Sequence, residues 1–391
     1  MIILNKNSFP IINTYNPRDP SITWSSNDTA GSLQMQADSR FPFEAWYSLF
    51  SCEHSFKIYN ILELIDDESL KKILDKKAYV LLDNALEPFE RSIDSIYENI
   101  VIKAKIPASQ VILLTNMYDA GEYSRTIAAR LNQEPIKILW YTVFEQDLKN
   151  AIRSIYKGNI PNTLSSKEYK KKFLNLNRRW RLHRPFLTTL LYGRNLIDAG
   201  HISFGPCDEK DTWTHRWPEL IYYFRNDSNM LDLLNQYSDV RSMPPLFLDT
   251  DELSINRAEA TTDTNNYYKD TYFSVIAETT YFTKDWYHSA RFLSEKAFKP
   301  IAMKHPFILV SVPNSLEIYK IMGYKTFSDI IDESYDLEID DGKRMLMIVN
   351  EIERLCNLSE KELKAFLEKA REICEYNYNT LISKKRFITE L

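Results

Sequence analysis

The chain has 391 residues, of which 44% are hydrophobic, 13% aromatic and 26% charged. This balance is typical of folded proteins and excludes disorder as the main state. The formal net charge of −5 excludes a molecule that binds nucleic acid over its whole surface, so a polyanion would have to meet a local basic patch.

Cysteine, glycine and apolar patterns indicate the cellular compartment and the kind of nucleotide site. The four cysteines show no CxxC spacing, and no apolar run reaches about 18 residues or follows Met1–Leu4 as a signal peptide would. We therefore expect a cytoplasmic protein without a transmembrane segment. With only 8 glycines and no glycine-rich phosphate loop, side chains and helix ends would have to hold any nucleotide.

The first half of the chain predicts a parallel sheet after an irregular start. Residues 1–50 have no sustained period and are expected to form an irregular N-terminal extension. Apolar runs and helical stretches then alternate, at 78–82, 88–102, 110–116, 123–131 and 136–144. This alternation is typical of βαβ units, so residues 51–160 are predicted to form a Rossmann-like domain.

A polar stretch at 157–166 predicts a linker before a second α/β series in residues 161–345. Its strands and helices are expected at 173–177, 185–200, 272–277, 294–303, 307–312 and 315–322. Residues 346–391 are predicted to be helical, because a capping box at Ser359–Glu362 precedes an apolar stripe at helical spacing.

Seven cations lie between Lys170 and Arg184. If 173–177 is a strand, residues 178–184 form the loop at its carboxyl end, where α/β folds bind ligands. Arginines beside a helix N-terminus favour a pyrophosphate. The alternatives are a solvated basic face and a nucleic-acid patch in which Trp180 stacks on bases.

A second group of charged residues follows the strand predicted at 272–277. That strand delivers Glu278 to its carboxyl end, and Ser294 is placed to cap a helix whose first turn carries Glu295 and Lys296. A carboxylate there can bind sugar hydroxyls and a lysine can bind phosphate. The alternative is a capped helix with ordinary first-turn charges.

These segments together resemble the donor-binding region of α1,3-fucosyltransferase-like glycosyltransferases. Glu278–Thr280, Ser294–Lys296 and Pro306–Val310 are similar to the family's Phe-Glu-Asn-Ser, Thr-Glu-Lys and Val-Pro-Val segments. Upstream, Asn175–Arg184 and Ile197–Gly200 resemble its Ser-Asn, Arg and Val-Asp-x-x-Gly stretch, so that the resemblance covers about 170 to 345.

A wider set of virus and bacterial glycosyltransferases shares two further motifs with this chain. Phe292–Pro300 is similar to their Phe-Leu-Ser-Glu-Lys-x-Phe-Lys-Pro, and Gly323–Phe327 is similar to their Gly-Tyr-Lys-Thr-Phe. The resemblance implies a GT-B fold, with two Rossmann-like domains facing across a cleft and C-terminal helices packing back on the first domain.

The implied activity is transfer of a sugar from a nucleotide-sugar donor to a glycan or other hydroxyl acceptor, with nucleic acid as a further candidate acceptor. Arg184 and Lys296 would hold the diphosphate, Glu295 would contact the sugar, and Glu278 would line the donor pocket. The complete predicted set is Glu87 and Glu295 as catalytic residues, and Asn177, Arg179, Arg184, Glu278, Lys296 and Lys299 as donor-binding residues. No cofactor or metal ion is expected.

The alternative function is a nucleic-acid-associated protein, or a DNA-modifying glycosyltransferase, that uses segment 170–184.

Two choices within this prediction have rivals. Asp249-Thr250-Asp251 is a DxD triplet, which would bind a metal carrying the diphosphate and replace the cationic clamp. An inverting enzyme needs a carboxylate base in the first domain, and Glu87 follows a predicted strand there. Its rivals are Asp119, Glu122, His183, His201 and His288.

Overall fold

The structure is a computed structural model. It describes residues 46–50, 67–77, 79–84, 92–145, 148–149, 152, 169–177, 179–205, 212–248, 265–284, 290–383 and 388–390. These residues fall into two compact units, one within Met1–Gln146 and Lys385–Leu391 and the other within Asp147–Lys384. The boundary that the sequence predicts near residue 160 lies outside the described residues.

The first unit contains a mainly parallel sheet with helices between its strands, as the sequence predicts. Its elements are β1 (Trp46–Phe50), α1 (Asp67–Leu74), β2 (Tyr79–Asn84), α2 (Ser92–Ile96) followed by a π-helical segment (Tyr97–Lys103), β3 (Val111–Thr115), α3 (Ala120–Arg130) and β4 (Lys137–Tyr141). The strands β1, β2, β3 and β4 pair in parallel in that order. All five residues of β3 are buried, which is expected of a strand covered on both faces.

The strand β1 corrects the prediction of an irregular extension over residues 1–50. Trp46–Phe50 pairs with β2, with Trp46 opposite Tyr79 and Phe50 opposite Asp83. Aromatic residues favour strands, and five residues are too few to show a period in the sequence.

The second unit contains a four-stranded sheet in which every pairing is parallel. Its elements up to the last strand are β5 (Phe173–Asn177), α4 (His183–Gly193), β6 (Gly200–Phe204), α5 (Trp213–Tyr223), α6 (Ser228–Gln236), α7 (Asn265–Asp270), β7 (Phe273–Ala277), α8 (Glu295–Ala302) and β8 (Phe307–Val310). The strand order is β6-β5-β7-β8, so β5, the first described strand of the unit, lies between the second and the third.

Gly200 marks a close approach inside this sheet. A Cβ atom at this position would lie 2.5 Å from the Phe173 ring, so any larger residue would require that ring to shift. The helix that the sequence predicts over 185–200 ends earlier, at Gly193, and Gly200 is the first residue of β6.

The remaining elements are α9 (Ser315–Ile321), α10 (Asp341–Cys356), α11 (Glu360–Ser383) and β9 (Ile388–Glu390). The capping box at the start of α11 is confirmed, because the Ser359 N–H donates to Glu362 Oε2 at 2.9 Å. Lys304, which follows α8, pairs with Glu375 of α11 at 2.7 Å, so α11 packs inside the second unit. The strand β9 belongs to the first unit, where it pairs antiparallel with β4. The sequence prediction of helix alone over 346–391 missed this strand.

Candidate functional site

The strands β5 and β7 are neighbours at the point where the strand order of the second unit reverses. In open parallel sheets, a crevice forms at such a point outside the carboxyl ends of the strands, since the following segments leave in opposite directions. The site of this unit is therefore expected among the residues that follow Asn177 and Ala277.

A pocket of about 780 Å³ lies at this place. Its walls come from the segment after β5, from the end of α5 with the turn that follows it, and from the segment after β7. The lining residues are Arg179, Trp180, Arg181, Leu182, His183, Arg216, Glu219, Tyr222, Tyr223, Phe224, Arg225, Asn226, Asp227, Thr279, Phe282 and Lys284. The volume falls within the range of small-molecule sites.

The pocket carries an excess of positive charge. Its cations are Arg179, Arg181, Arg216, Arg225 and Lys284, and its carboxylates are Glu219 and Asp227. Both carboxylates have partners within the protein: Glu219 pairs with Arg216 at 2.8 Å, and Asp227 caps α6 by accepting from the Met230 N–H. Five cations against two occupied carboxylates favour a ligand with several negative charges, such as a diphosphate.

The N-terminus of α4 adds to the positive electrostatic potential of the pocket. Arg181, Leu182 and His183 at the helix start line the pocket, and no side chain caps the helix from the N-cap position. The first turn of a helix carries a partial positive charge that favours anions. The sequence prediction of a helix start beside arginines is confirmed here.

Of the predicted donor-binding residues, Arg179 lines the pocket, and its side chain is exposed. Arg184 has a different position. It is 3% exposed and its guanidinium donates to the carbonyl of Arg179 at 2.7 Å and to that of Ala277 at 3.0 Å. Arg184 thus joins the segments after β5 and β7 and holds the pocket walls together from inside the protein.

Glu278 is also fully buried. Its carboxylate accepts from the Thr279 N–H at 2.9 Å, the Ser294 N–H at 3.0 Å and the Ser294 hydroxyl at 2.7 Å. The side chain therefore fixes the start of α8 to the end of β7, and it is absent from the described pocket lining.

Asn177, at the end of β5, is 3% exposed. Its amide donates to Asn175 Oδ1, and its own Oδ1 has no hydrogen-bond partner among the described residues. The His183 Nε2 atom lies 2.8 Å from the Glu278 carbonyl oxygen, so His183 too links the segments after β5 and β7.

The predicted residues of α8 form a charged cluster. The Lys296 ammonium donates to Glu295 Oε1 at 3.0 Å, and Ser294 caps the helix as the sequence predicts. Burial raises the pKa of Glu295, but Lys296 and Lys299 outweigh it and lower the pKa to about 2. Burial also lowers the pKa of Lys299. The Glu295 side chain is 38% exposed, so water screens these charges. None of the three residues is in the described lining of the pocket.

A buried ion pair that the sequence analysis missed supports the pocket from behind. Asp341 and Arg344 lie in the first turn of α10, and each side chain is 1% exposed. The Arg344 Nη2 atom lies 2.6 Å from Asp341 Oδ1. Asp341 accepts from the Tyr223 hydroxyl and from the Thr283 N–H, and so connects the α5 wall to the wall after β7. Burial, reinforced by Asp341, raises the pKa of Tyr223, which keeps its hydroxyl protonated as a donor.

Arg344 completes this network by donating to main-chain carbonyls. Its guanidinium reaches the carbonyls of Ser311 at 3.1 Å and Tyr281 at 2.6 Å, and lies 4.3 Å from the centre of the Tyr281 ring. In the sequence, an Asp and an Arg three positions apart on a helix are indistinguishable from an ordinary surface pair. Only the tertiary structure reveals their burial.

Several candidates for the base and for metal binding lie outside the described residues, namely Glu87, His288 and Asp249-Thr250-Asp251. Asp119 precedes α3 and is partly exposed, and Glu122 is exposed. Glu145, which the sequence analysis missed, follows β4, is 5% exposed and accepts from the Thr142 hydroxyl at 3.2 Å, in the spacing of a capping box. In the described segments no group of three or more His, Cys, Asp or Glu is placed to hold a metal ion.

No protein-family model matches the chain, and no curated protein matches it either. Among solved structures, it is similar to the N-terminal domain of trehalose-6-phosphate phosphatase from Candida albicans. The sequences are 10% identical, the TM-score is 0.40, and the likeness covers 90% of this chain and 70% of the other.

Within the part of the chain that the structure describes, no helix has the length and the apolar composition that crossing a membrane requires.

Proposed function

We propose that the protein is a glycosyltransferase that moves a sugar from a nucleotide-sugar donor to an acceptor hydroxyl. The observation that carries the proposal is the cationic pocket at the reversal of strand order, beside the uncapped start of α4. A nucleotide sugar presents a diphosphate, which matches an excess of arginine and lysine. The two Rossmann-like units would take the GT-B arrangement, with the acceptor held by the first unit.

In the proposed reaction, the acceptor oxygen forms a bond to the anomeric carbon while the bond from that carbon to the diphosphate breaks. The leaving diphosphate gains negative charge, and fixed cations stabilise it most effectively when they are already in place. Arg179 and Lys284 suit this role, because neither charged group has a partner within the described segments. A carboxylate of the first unit, for which Glu87 remains the prediction, would take the acceptor proton.

The cluster on α8 has a separate role in this proposal. Lys296 would neutralise charge on the donor and Glu295 would face the sugar, as the resemblance to glycosyltransferases implies. Because the pKa of Glu295 is lowered to about 2, its carboxylate carries a negative charge at neutral pH. This charge suits a group that stabilises the positive charge developing at the anomeric carbon.

The alternative of nucleic-acid binding by segment 170–184 is less well supported. Trp180 is 3% exposed and stacks on Phe204 with ring centres 3.9 Å apart, so its face is occupied by protein. Lys170 pairs with Asp270 at 3.0 Å, which removes part of the positive charge of the segment.

The test is a thermal-shift titration with nucleoside diphosphates. A ligand at 100 times its Kd stabilises the folded state by about 2.7 kcal/mol, which gives a clear rise in Tm. Arg179→Gln should weaken this binding by about tenfold or more, because it removes a charge-assisted hydrogen bond. Arg194→Gln is the matched control, since Arg194 pairs with Glu353 outside the pocket lining. If no nucleoside diphosphate raises the Tm of the wild-type protein, the proposal is wrong.

A further inference from the structure

Tyr222 is an exposed aromatic residue in the pocket lining. The residue is 66% exposed, although it lies in the lining of a cavity that also includes five cations. Large aromatic side chains usually bury their rings, and one that stays exposed inside a ligand-sized cavity leaves a flat surface available for contact.

One face of this ring is backed by a cation. The Arg225 guanidinium lies 4.0 Å from the centre of the Tyr222 ring, and its Nη1 donates to the Tyr222 carbonyl at 2.9 Å. This hydrogen bond holds the guanidinium in place over the ring. Because Tyr222 is 66% exposed, the ring face that Arg225 does not cover is open to a ligand.

The backbone that carries Tyr222 is anchored by its neighbour. Tyr223 donates to the buried Asp341, which fixes the last turn of α5. Because the backbone is held and Arg225 limits the ring's movement, little conformational entropy remains to be lost when a ligand stacks there.

We propose that Tyr222 and Arg225 form the nucleobase subsite of the pocket, an inference that rests on the proposed function. The base would stack on the open face of Tyr222 while the pocket cations bind the diphosphate. Aromatic stacking suits this role because every base has a π-face, and a guanidinium behind the ring adds a cation–π contribution. The subsite and the cations share one cavity, as the two covalently linked parts of a nucleoside diphosphate require.

The experiment compares inorganic pyrophosphate with UDP, GDP, ADP, CDP and TDP by calorimetry on the full chain. Tyr222→Ala should weaken the best nucleoside diphosphate by roughly 5- to 100-fold, the usual effect of losing one stacked base. It should leave the affinity for pyrophosphate within about twofold. Tyr222→Trp should restore nucleotide binding, because it offers a stacking surface again.

Tyr376→Ala is the matched control. Tyr376 is 44% exposed and has the Lys325 ammonium 4.4 Å from its ring centre, but it lies on α11 and is absent from the described pocket lining. Tyr376→Ala should leave the affinities for pyrophosphate and for the nucleoside diphosphate unchanged. This control separates the subsite from a general effect of removing a surface tyrosine.

Each other outcome overturns the inference. If Tyr222→Ala weakens the affinity for pyrophosphate as much as the affinity for the nucleoside diphosphate, Tyr222 only supports the shape of the pocket. If nucleotide affinity is unchanged in this variant, no base stacks on Tyr222. A change confined to the KM of the acceptor would assign the ring to an acceptor sugar. If the wild-type protein binds pyrophosphate as tightly as any nucleotide, the subsite is wrong while the diphosphate site stands; if it binds neither, the proposed function fails as well.

Discussion

The ion pair between Asp341 and Arg344 allows a quantitative prediction. Asp341→Asn keeps the shape of the side chain but removes its charge, and the Arg344 guanidinium, 1% exposed, then has no counter-charge 2.6 Å away. Removing one partner of a buried pair costs about 3 to 5 kcal/mol, because the remaining charge stays desolvated. We expect the free energy of unfolding of the second unit to fall by about that amount, a large part of the 5 to 15 kcal/mol typical of folded proteins.

Urea unfolding followed by tryptophan fluorescence measures this loss as a lower midpoint concentration. The control is Glu353→Gln, which breaks the pair between Arg194 and Glu353, whose side chains are 37% and 33% exposed. A pair of this exposure contributes about 0 to 1 kcal/mol. If Asp341→Asn lowers stability no more than Glu353→Gln does, the buried pair does not hold the pocket walls as argued.

Three further predictions concern the charged groups of the second unit. Lys296→Ala should slow sugar transfer by about 10² to 10³-fold in steady-state assays, and unchanged turnover would remove Lys296 from the mechanism. Transfer should persist in excess EDTA, whereas loss with rescue by Mn²⁺ or Mg²⁺ would favour the Asp249-Thr250-Asp251 triplet. Burial raises the pKa of Asp336 to about 6, although the Ser315 and Leu316 N–H groups donate to it. The folded state therefore binds this proton more tightly than the unfolded state, so its contribution to stability is present below about pH 4 and lost as the pH rises through about 6. Asp336→Asn should flatten the profile of Tm against pH in that interval, and an unaltered profile would contradict the assignment.

Much of the sheet architecture is predictable because buried parallel strands are short continuous apolar runs. Phe173–Asn177 has the predicted bounds, and β7 and β8 lie within one or two residues of theirs. The sequence analysis missed three strands at sheet edges, namely β1, β6 and β9, although it predicted the edge strand β8. Gly200–Phe204 follows a helical pattern without a clear break, and the three residues of β9 carry too little periodicity to stand out after a long helix.

The position of the candidate site could be predicted, but not the function of each charged side chain within it. Arg184 and Glu278 follow strands whose carboxyl ends form the crevice, as the sequence suggested, yet both point into the protein and bind main-chain groups. A sequence shows which charges are near a strand end, but whether a charge faces a ligand or a carbonyl depends on contacts between distant segments. The clearest case is Asp341, which accepts a hydrogen bond from the Tyr223 hydroxyl across a separation of 118 residues.

The antiparallel pairing of β9 with β4 has a consequence for biosynthesis. During translation the residues of β4 leave the ribosome long before those of β9, and the entire second unit is synthesised between them. The first unit therefore waits with an unpaired edge strand, which exposes a row of main-chain donors and acceptors to other nascent chains. The second unit is continuous along the chain and can fold before the first is complete, whereas the sheet of the first unit cannot be completed until β9 has been synthesised.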